Sequence, residues 1–546
     1  MPGLNNAPVS IDLAGAEIVA WVPGAEVAAV CGGDDTIRFV AYDAAFKNPE
    51  VVLEAVFEGS IQSVTAHGSY VAVAESLSKT ETGLVRVYRY TAENTLEAVF
   101  SQEVGYLPDS VAWSADGQTI VVANEGEPND YYGTRKGIDP QGSISILRVD
   151  PDQGAALISA ETLDFAGFSA DQLEAAGVRL SGMNAANPSR DLEPEFVRIT
   201  PDSQQAVVTL QENNAMVVLD LASGTLGQPI GLGAKDWSGL SVDTSDDDGG
   251  YFPGERDFQS LYMPDGMDVW SGQDGTTYVA LANEGDGRVR PDDVNFEAES
   301  DGDFVLVGAG RAAKLESRGF DAIAQLEDPL TGDQIAIFDG GVVAKAKDRK
   351  RFEAEAGDEF FVTKAFGAVA DDDFYSDEIR AGKLESPAEN LIVSGETEGR
   401  LKTIADRNTS DSITGFGGRS FTIRTLDGAI VWDSGDLLDQ IALEYGVYDD
   451  GRSDDKSIEP EHVEVATLGE RSFAFVSLER GTSTLIPVFE VTDVTSPEHV
   501  YTFHAPESIS PEATEFIATG TNDGVLLVSS EVSGTLDAFP FGTDLL

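Results

Sequence analysis

The pattern from which the fold can be inferred is clearest in Leu107-Pro-Asp-Ser-Val-Ala-Trp-Ser-Ala-Asp-Gly-Gln-Thr-Ile-Val-Val-Ala-Asn-Glu125. Two apolar, β-branched segments flank Ala115-Asp116-Gly117, and Asp and Gly are residues that tight turns prefer. The stretch therefore predicts a β-hairpin of two strands joined by that turn. An acidic residue stands at each open end of the hairpin, Asp109 in the first strand and Glu125 after the second.

The same pattern returns seven times along the chain. The seven units are Glu17–Cys31, Gln62–Glu75, Asp109–Glu125, Glu195–Glu212, Asp265–Glu284, Glu461–Glu479 and Glu512–Glu531. Six of them open with Asp or Glu, and six close with Glu; the exception at the closing position is Cys31, the single cysteine of the chain. Because only 96 of 546 residues are acidic, two such columns are not expected from chance alone.

Repeated antiparallel units of this size predict an all-β fold, a β-propeller built of four-stranded blades. Seven blades are favoured, with six to eight left open, in a single domain over residues 1–546. The alternating segment 7–13 is predicted to complete the last blade, which otherwise lacks its outer strand. Residues 169–176 predict a short capped helix between blades. Residues 285–415 are predicted to be a long insertion on the mouth face, a lid or small subdomain, with a helical patch at 322–326.

The two acidic columns predict a metal site. A hairpin places the start of its first strand and the end of its second strand on one face, so the columns should meet at one mouth of the channel. Crowded carboxylates repel one another unless cations accompany them. The predicted ligands are Cys31, Glu75, Asp109, Glu125, Glu127, Glu195, Glu212, Asp265, Glu284, Glu461, Glu479, Glu512 and Glu531. The alternative for any one carboxylate is that it caps a turn, and for Cys31 that it is a small buried hydrophobe.

The net charge of the chain limits the classes of partner that the protein can bind. The net charge is −61, with 35 basic residues against 96 acidic ones. Such a surface argues against binding nucleic acid or an anionic membrane. No apolar stretch approaches the length of a transmembrane segment. The first residues carry neither the basic nor the apolar part of a signal peptide, and a lone cysteine excludes an intramolecular disulfide.

Eight short motifs resemble the choice-of-anchor I family of bacterial β-propellers, many of whose members are labelled alkaline phosphatases. They occur in order between about residues 105 and 535, and they are Ala123-Asn-Glu-Gly-Glu-Pro, Leu192-Glu-Pro-Glu-Phe-Val, Thr209-Leu-Gln-Glu-Asn-Asn-Ala, Ala282-Asn-Glu-Gly-Asp, Phe416-Gly-Gly-Arg-Ser-Phe, Asp433-Ser-Gly-Asp, Arg452-Ser-Asp-Asp-Lys and Leu478-Glu-Arg. The acidic mouth with one cysteine also resembles that of the PhoX-type alkaline phosphatases, which hold irons and calcium ions. Their second cysteine-bearing motif is absent here.

The resemblance implies a metal-dependent alkaline phosphatase, a phosphoric ester hydrolase with Ca²⁺ and Fe³⁺ as cofactors. It further implies small phosphorylated substrates, a periplasmic or extracellular location and a monomer. A metal cluster suits this reaction because it neutralises phosphoryl charge and lowers the pKa of bound water. The alternatives are a calcium-binding surface or adhesion propeller without activity, and another calcium-dependent propeller hydrolase.

A phosphatase also needs positive side chains near its metals, and basic residues are scarce in this chain. The candidates are Arg480, Arg452, Arg288 and Lys456, with Arg favoured because it binds phosphate in bidentate fashion. Each of them could instead form an ion pair with a neighbouring carboxylate. His462 is the histidine beside the acidic columns and a candidate catalytic residue, although a lone histidine is more often structural.

Overall fold

The computed structural model describes residues 7–128, 138–181, 186–246, 249–254, 258–288, 304–308, 324–327, 334–339, 378–381, 400–409 and 412–546. Within these residues the chain is mainly β-strand. Seven antiparallel sheets follow one another in chain order and are called sheets 1 to 7 below.

Each sheet begins with a strand of the predicted hairpin and is completed by strands that follow it. Sheets 1 to 3 contain Ile18–Val22, Val27–Cys31, Thr36–Ala41 and Glu50–Val56; then Ser60–His67, Tyr70–Ser76, Thr82–Tyr90 and Leu96–Tyr106; then Pro108–Trp113, Thr119–Asn124, Ser143–Asp150 and Ala156–Asp164. Sheet 4 contains Val197–Ile199, Gln205–Leu210 and Ala215–Asp220, which pairs with both Thr225–Leu226 and Ile230–Gly231.

The remaining sheets repeat the same order. Sheet 5 contains Met267–Ser271, Thr277–Asn283, Ser420–Thr425 and Ile430–Asp433, and sheet 6 contains Pro460–Leu468, Arg471–Leu478, Thr484–Glu490 and Glu498–Ala505. Sheet 7 contains Pro511–Ala518, Asp523–Ser530, Thr535–Gly542 and, as its outer strand, Val9–Asp12 from the other end of the chain. The strand predicted at residues 7–13 is therefore confirmed.

The first strands of the sheets contact one another in cyclic order, from sheet 1 to sheet 7 and back to sheet 1. Hydrogen bonds from one sheet to the next accompany these contacts. Examples are Val111 N to Ser63 Oγ at 3.3 Å, Val197 N to Ser110 Oγ at 3.2 Å, Val465 N to Asp268 Oδ2 at 2.8 Å and Ser529 Oγ to the Glu17 carbonyl at 2.6 Å. Each first strand is thus held by the sheet before it as well as by its own.

Seven apolar clusters fill the boundaries between successive sheets, one cluster to each boundary. The second strand of a sheet therefore packs against apolar side chains on both faces, which explains why Thr119–Asn124 is buried throughout. Such strands read as continuous apolar runs because neither face meets water.

Helices lie outside the sheets. Ala170–Ala175 is the predicted short helix, and the Ser169 hydroxyl accepts a hydrogen bond from Gln172 N at its start. Leu437–Tyr445, which sequence analysis does not predict, packs Leu438, Ile441 and Ala442 into the boundary between sheets 5 and 6. Shorter turns are Pro188–Asp191, Pro151–Gln153, Ala405–Arg407, Asp450–Arg452 and Thr543–Leu545. Every helix in the described ranges is too short or too polar to span a bilayer.

Much of the predicted 285–415 insertion lies outside the described residues, so its role as a lid or subdomain stays a prediction. Three strands within it, Phe304–Gly308, Ala324–Glu327 and Gln334–Asp339, pair with one another. The helical patch predicted at 322–326 is wrong over residues 324–326, because pairing with Gln334–Asp339 overrides the local helix propensity. Residues 322 and 323 lie outside the described residues. A five-stranded sheet joins Glu378–Arg380, Lys402–Ile404 and Thr414–Gly415 to Ala234–Asp236 and Gln259–Leu261, which precede the insertion.

Candidate metal centre

The opening residues of the seven hairpins line a single cavity. They are Glu17, Gln62, Asp109, Glu195, Asp265, Glu461 and Glu512, one from each sheet. The cavity measures about 130 Å³, which is room for a few ions or water molecules. The convergence expected from the hairpin geometry is thus observed for the first acidic column.

Backbone irregularities direct these side chains toward the cavity. The strand pairing shifts register in four sheets, and there the opening residue has no partner on the second strand: Gln62, Asp109, Glu461 and Glu512. Such a β-bulge re-aims a side chain out of the regular alternation.

A proline precedes five of the opening residues, and in four of these five cases the residue before the proline has a positive φ. These residues are Leu107 (44°), Met263 (47°), Glu459 (46°) and Ser510 (63°). Left-handed backbone at a non-glycine residue is uncommon and costs about 1–3 kcal/mol, so it persists where the surroundings impose it. The X-Pro-acid sequence is therefore the local signal for this sharp approach to the cavity.

Carboxylates form four groups, within each of which oxygens lie within 4.8 Å of one another. Three groups join opening and closing residues, and the fourth joins two closing residues to Glu459. The groups are Asp109–Glu125–Glu195, Asp265–Glu284–Glu461, Glu284–Glu459–Glu479 and Glu479–Glu512–Glu531. Nine of the thirteen predicted ligands belong to these groups. Glu212 lies in the same region, since its charge acts on Asp109, Glu125 and Glu195.

Burial and mutual repulsion make these acids weak. Burial, followed by the charges of Glu531 and Asp265, raises the pKa of Glu17 from 4.5 to about 7. Burial also raises the pKa of Glu212 and of Glu479 to about 7, although Arg288 and Arg480 respectively act against the shift. For Asp109 and Glu125, burial and neighbouring carboxylates raise the pKa well above its ordinary value. A bound cation would reverse these shifts by stabilising the ionised forms.

Positive side chains neutralise the carboxylates of the Glu284–Glu459–Glu479 group, which is called the neutralised side of the mouth below. Lys456 Nζ lies 2.8 Å from Glu284 Oε1 and 3.1 Å from Glu459 Oε2. Arg452 also binds Glu459, through Nε at 2.9 Å, and Arg480 Nε lies 3.6 Å from the same carboxylate. Burial alone would raise the pKa of Glu459, but the charges of Lys456 and Arg452 outweigh it and lower that pKa.

Arg480 reaches a second carboxylate as well, because its guanidinium contacts Glu479 Oε1 at 2.9 Å. The ion-pair alternative considered for Arg452, Lys456 and Arg480 is therefore what this structure contains. Their role as a phosphate clamp stays a prediction.

Arg288 and His462 are engaged with protein groups too. Buried Arg288 donates to Ser181 Oγ at 3.0 Å and forms an ion pair with Glu193. The ring of His462 lines the cavity, with Nδ1 2.9 Å from Thr514 Oγ1 and Nε2 3.1 Å from an Arg198 nitrogen. Burial and the Arg198 charge lower the pKa of His462 well below its ordinary value, so the ring is neutral.

Besides Glu212, three predicted ligands lie outside the four groups. Glu75 accepts hydrogen bonds from Glu58 N and Gly59 N, at 3.0 and 2.9 Å, and forms an ion pair with Arg86. Glu75 therefore caps a turn, which is the alternative to metal binding that the sequence left open. Glu127 forms an ion pair with Lys79.

Cys31, the third, is fully buried in the apolar cluster between sheets 1 and 2. Burial, with the nearby Glu17 charge, raises the pKa of its thiol well above the ordinary value. Metal ligation by these three residues stays a prediction.

Sequence analysis misses Glu459, the shared partner of three cations, because it precedes a proline and lies outside both acidic columns. It also misses a second layer of charges, which lies three residues after the opening residues of sheets 4 to 7 and consists of Arg198, Asp268, Glu464 and Glu515. Asp268 accepts a hydrogen bond from Val465 N of the next sheet, so this layer has a structural use. The three-residue spacing was a signal available in the sequence.

The donor set fits a hard cation. The four groups offer carboxylate oxygens, the ligands preferred by Ca²⁺. Two buried oxygens, Glu195 Oε2 and Glu212 Oε2, have no hydrogen-bond partner among the described residues. Proteins rarely leave buried polar atoms unsatisfied, and a bound ion is one way of satisfying them. A thiolate-assisted iron site fits less well, because Cys31 lies among apolar side chains.

The fold and this centre together define an all-β protein with a ring of carboxylates around a central cavity. A family model described as the choice-of-anchor I domain matches residues 17–329 and 341–494. The chain belongs to the choice-of-anchor I family, as its motifs suggest.

Among curated proteins, the chain is similar to a "Mesenchyme-specific cell surface glycoprotein" of Strongylocentrotus purpuratus, with 39% identity over 125 residues. That match covers 22% of this chain and 16% of the relative. Two solved structures align over nearly the whole chain. Sqt1 of Saccharomyces cerevisiae has 9% identity and a TM-score of 0.42, covering 99% of this chain and 100% of that one. Hydrazine synthase of Kuenenia stuttgartiensis has 10% identity and a TM-score of 0.43, covering 98% and 97%.

Proposed function

We propose that the seven sheets form a seven-bladed β-propeller whose mouth binds divalent cations and hydrolyses phosphate esters. The cyclic contacts of the first strands support the propeller. The observation that carries the function is the convergence of the opening and closing carboxylates into four groups with three positive side chains beside them. PhoX-type alkaline phosphatases, which the mouth resembles, provide the reaction class.

In this proposal different residues of the chain bind the metal ions, the phosphate and the groups inside the cavity. Carboxylates of the four groups would hold the ions, and bound metal would supply Lewis acidity and a water of lowered pKa. Arg480 is the candidate phosphate contact, because its side chain is 40% exposed while that of Arg288 is 1% exposed. The neutral His462 ring is held by Thr514 and Arg198, and in this proposal it orients water or substrate inside the cavity.

A second candidate is a calcium-binding surface protein without catalytic activity. It is favoured by the ion pairs that already occupy Arg452, Lys456 and Arg480, and by the cell-surface description of the relative. Both candidates place the protein outside the cytoplasm, where calcium is plentiful. Iron as an additional cofactor belongs to the phosphatase candidate alone.

The test measures metals and turnover together. The purified full chain is analysed by mass spectrometry for bound metals and assayed with a chromogenic phosphomonoester before and after chelation. We expect hydrolysis that chelation abolishes and added metal restores. Arg480→Ala should lower kcat/KM by about tenfold or more, the order lost when a transition-state donor is removed. Arg89→Ala, which removes an exposed arginine of sheet 2, should not change it.

Calcium binding without turnover of phosphate monoesters or diesters would contradict the phosphatase and leave the surface protein. Turnover of a lactone or phosphotriester in the same preparation would instead indicate the other calcium-dependent hydrolase.

A further inference from the structure

We propose that the mouth binds its tightest divalent cation at the boundary between sheets 3 and 4, with Asp109, Glu125, Glu195 and Glu212 as ligands. The inference rests on the proposed metal binding at the mouth and needs no catalytic activity. Sheet 3 supplies the first two residues, and sheet 4 supplies the other two. The class of ligand is a hard, oxygen-seeking ion such as Ca²⁺.

The geometry of this boundary suits a cation. Carboxylate oxygens of Asp109, Glu125 and Glu195 lie within 4.8 Å of one another. Glu125 is 8% exposed and Glu212 is 6% exposed, so water screens their charges weakly. Glu195 Oε2 and Glu212 Oε2 are both buried without a hydrogen-bond partner in the described part of the chain. An unsatisfied buried oxygen is costly, and a cation held by the three grouped carboxylates would satisfy Glu195 Oε2. Glu212 lies outside the 4.8 Å group, but its charge acts on all three of its members.

The opposite side of the mouth differs because the chain supplies its own cations there. Lys456 lies between Glu284 and Glu459, at 2.8 and 3.1 Å, which is where a metal ion of the Glu284–Glu459–Glu479 group would lie. Arg480 contacts the third member of that group at 2.9 Å. A metal ion entering this group must displace an ammonium or a guanidinium, and that displacement weakens its binding.

The boundary of sheets 3 and 4 differs in its supply of positive charge. Among the described residues, no lysine, arginine or histidine side chain forms an ion pair with the carboxylates of Asp109, Glu125, Glu195 or Glu212. Arg288 is the positive charge that acts on Glu212, but its guanidinium binds Glu193 and the Asp191 carbonyl. Among the residues that the structure describes, repulsion at this boundary is therefore relieved less than in the Glu284–Glu459–Glu479 group.

The experiment titrates Ca²⁺ into the metal-free full chain by calorimetry at pH 7.5. Glu195→Gln and Glu212→Gln remove one ligand charge each and should weaken the tightest calcium step by about tenfold or more, which corresponds to about 1.4 kcal/mol. The comparison within the centre is Glu479→Gln, which alters the neutralised side and should weaken that step by less than about threefold. The control outside the centre is Glu490→Gln, which removes a carboxylate paired with Arg471 and should leave the step unchanged. Melting in chelator checks folding: Glu195→Gln should be at least as stable as wild type, because it removes an unpaired charge.

Equal weakening by Glu479→Gln would overturn the assignment, and so would a tight step that survives in both Glu195→Gln and Glu212→Gln. The two proposals fail separately. Tight calcium at this boundary without phosphatase activity contradicts the catalytic function alone, whereas activity with the tight ion elsewhere contradicts the inference alone.

Discussion

Glu459 shows how a single buried carboxylate organises the positive side chains of the mouth. It is fully buried and lies within ion-pair distance of Arg452, Lys456 and Arg480. Removing one partner of a buried ion pair costs about 3–5 kcal/mol, because the remaining charge is left without compensation. We expect Glu459→Gln to lower the unfolding free energy by about 3 kcal/mol or more, measured by urea unfolding at pH 7.5 in chelator.

The control for this prediction is Glu490→Gln. Glu490 pairs with Arg471 at 2.7 Å, but the two side chains are 25% and 36% exposed. Exposed pairs contribute about 0–1 kcal/mol, so this variant should unfold close to wild type. A loss for Glu459→Gln no larger than that of the control would mean that the three cations find other partners.

At the scale of the residue, the sequence predicted the acidic columns and the basic residues beside them, and it missed Glu459, the carboxylate that three of those basic residues share. Repetition made the columns visible, since the opening residues recur at the same place in every hairpin. Glu459, by contrast, is one residue of one loop, and its three partners come from two segments that only folding brings together. Cys31 occupied the right position in the pattern, yet its side chain faces an apolar boundary. A position in a repeat determines the backbone more firmly than the direction of a side chain.

Among the elements, strands were the most predictable, and the strand that completes sheet 7 was predicted from its alternation. Val9–Asp12 pairs with Thr535–Ala538, with Ile11 opposite Leu536. The helix Leu437–Tyr445 escaped prediction because it is short and follows a strand closely. The segment 322–326 was misassigned over residues 324–326 because a run of Ala, Ile, Gln and Leu suits a helix locally, while the partner strand Gln334–Asp339 decides the structure there.

The contribution of Val9–Asp12 to sheet 7 can be tested by substituting Ile11. Ile11→Pro removes a backbone donor and is poorly tolerated within a paired strand. It should lower the unfolding free energy by about 1–3 kcal/mol, since a ladder hydrogen bond is lost, and expose residues 7–13 to limited proteolysis. Ile11→Val keeps the donor and the β-branched shape, so it should cost about 1 kcal/mol. Equal proteolysis of both variants would indicate that Val9–Asp12 contributes little to sheet 7.

For the whole molecule, the acidic ring predicts that stability depends on pH in an unusual direction. The pKa of Glu17, Glu212 and Glu479 is raised from an ordinary 4.5 to about 7. Between those two values the folded chain binds more protons than the unfolded chain, so the unfolding free energy falls as pH rises through that window. We expect the Tm in chelator to be lower at pH 7.5 than at pH 5.5.

Calcium should reverse this trend, because an ion that binds the folded chain stabilises it in proportion to its affinity. At pH 7.5 the added ion should raise the Tm, and at pH 5.5 protons should compete with it and reduce the gain. Calorimetric scans at the two pH values, with and without Ca²⁺, measure both effects. A metal-free Tm that rises from pH 5.5 to 7.5 would contradict the raised pKa values.

The pairing of Val9–Asp12 with Thr535–Ala538 has a consequence for biosynthesis. Val9–Asp12 is translated long before its partner strand and stays unpaired until Thr535–Ala538 has left the ribosome. During that interval the face of sheet 1 that carries Val19, Ala28 and Val30 has no neighbour, because its covering side chains belong to sheet 7. A nascent or truncated chain therefore displays an apolar flank and a free strand edge, the features that chaperones bind and that neighbouring copies join. Pairing of the two strands in sheet 7 covers this flank and removes the free edge.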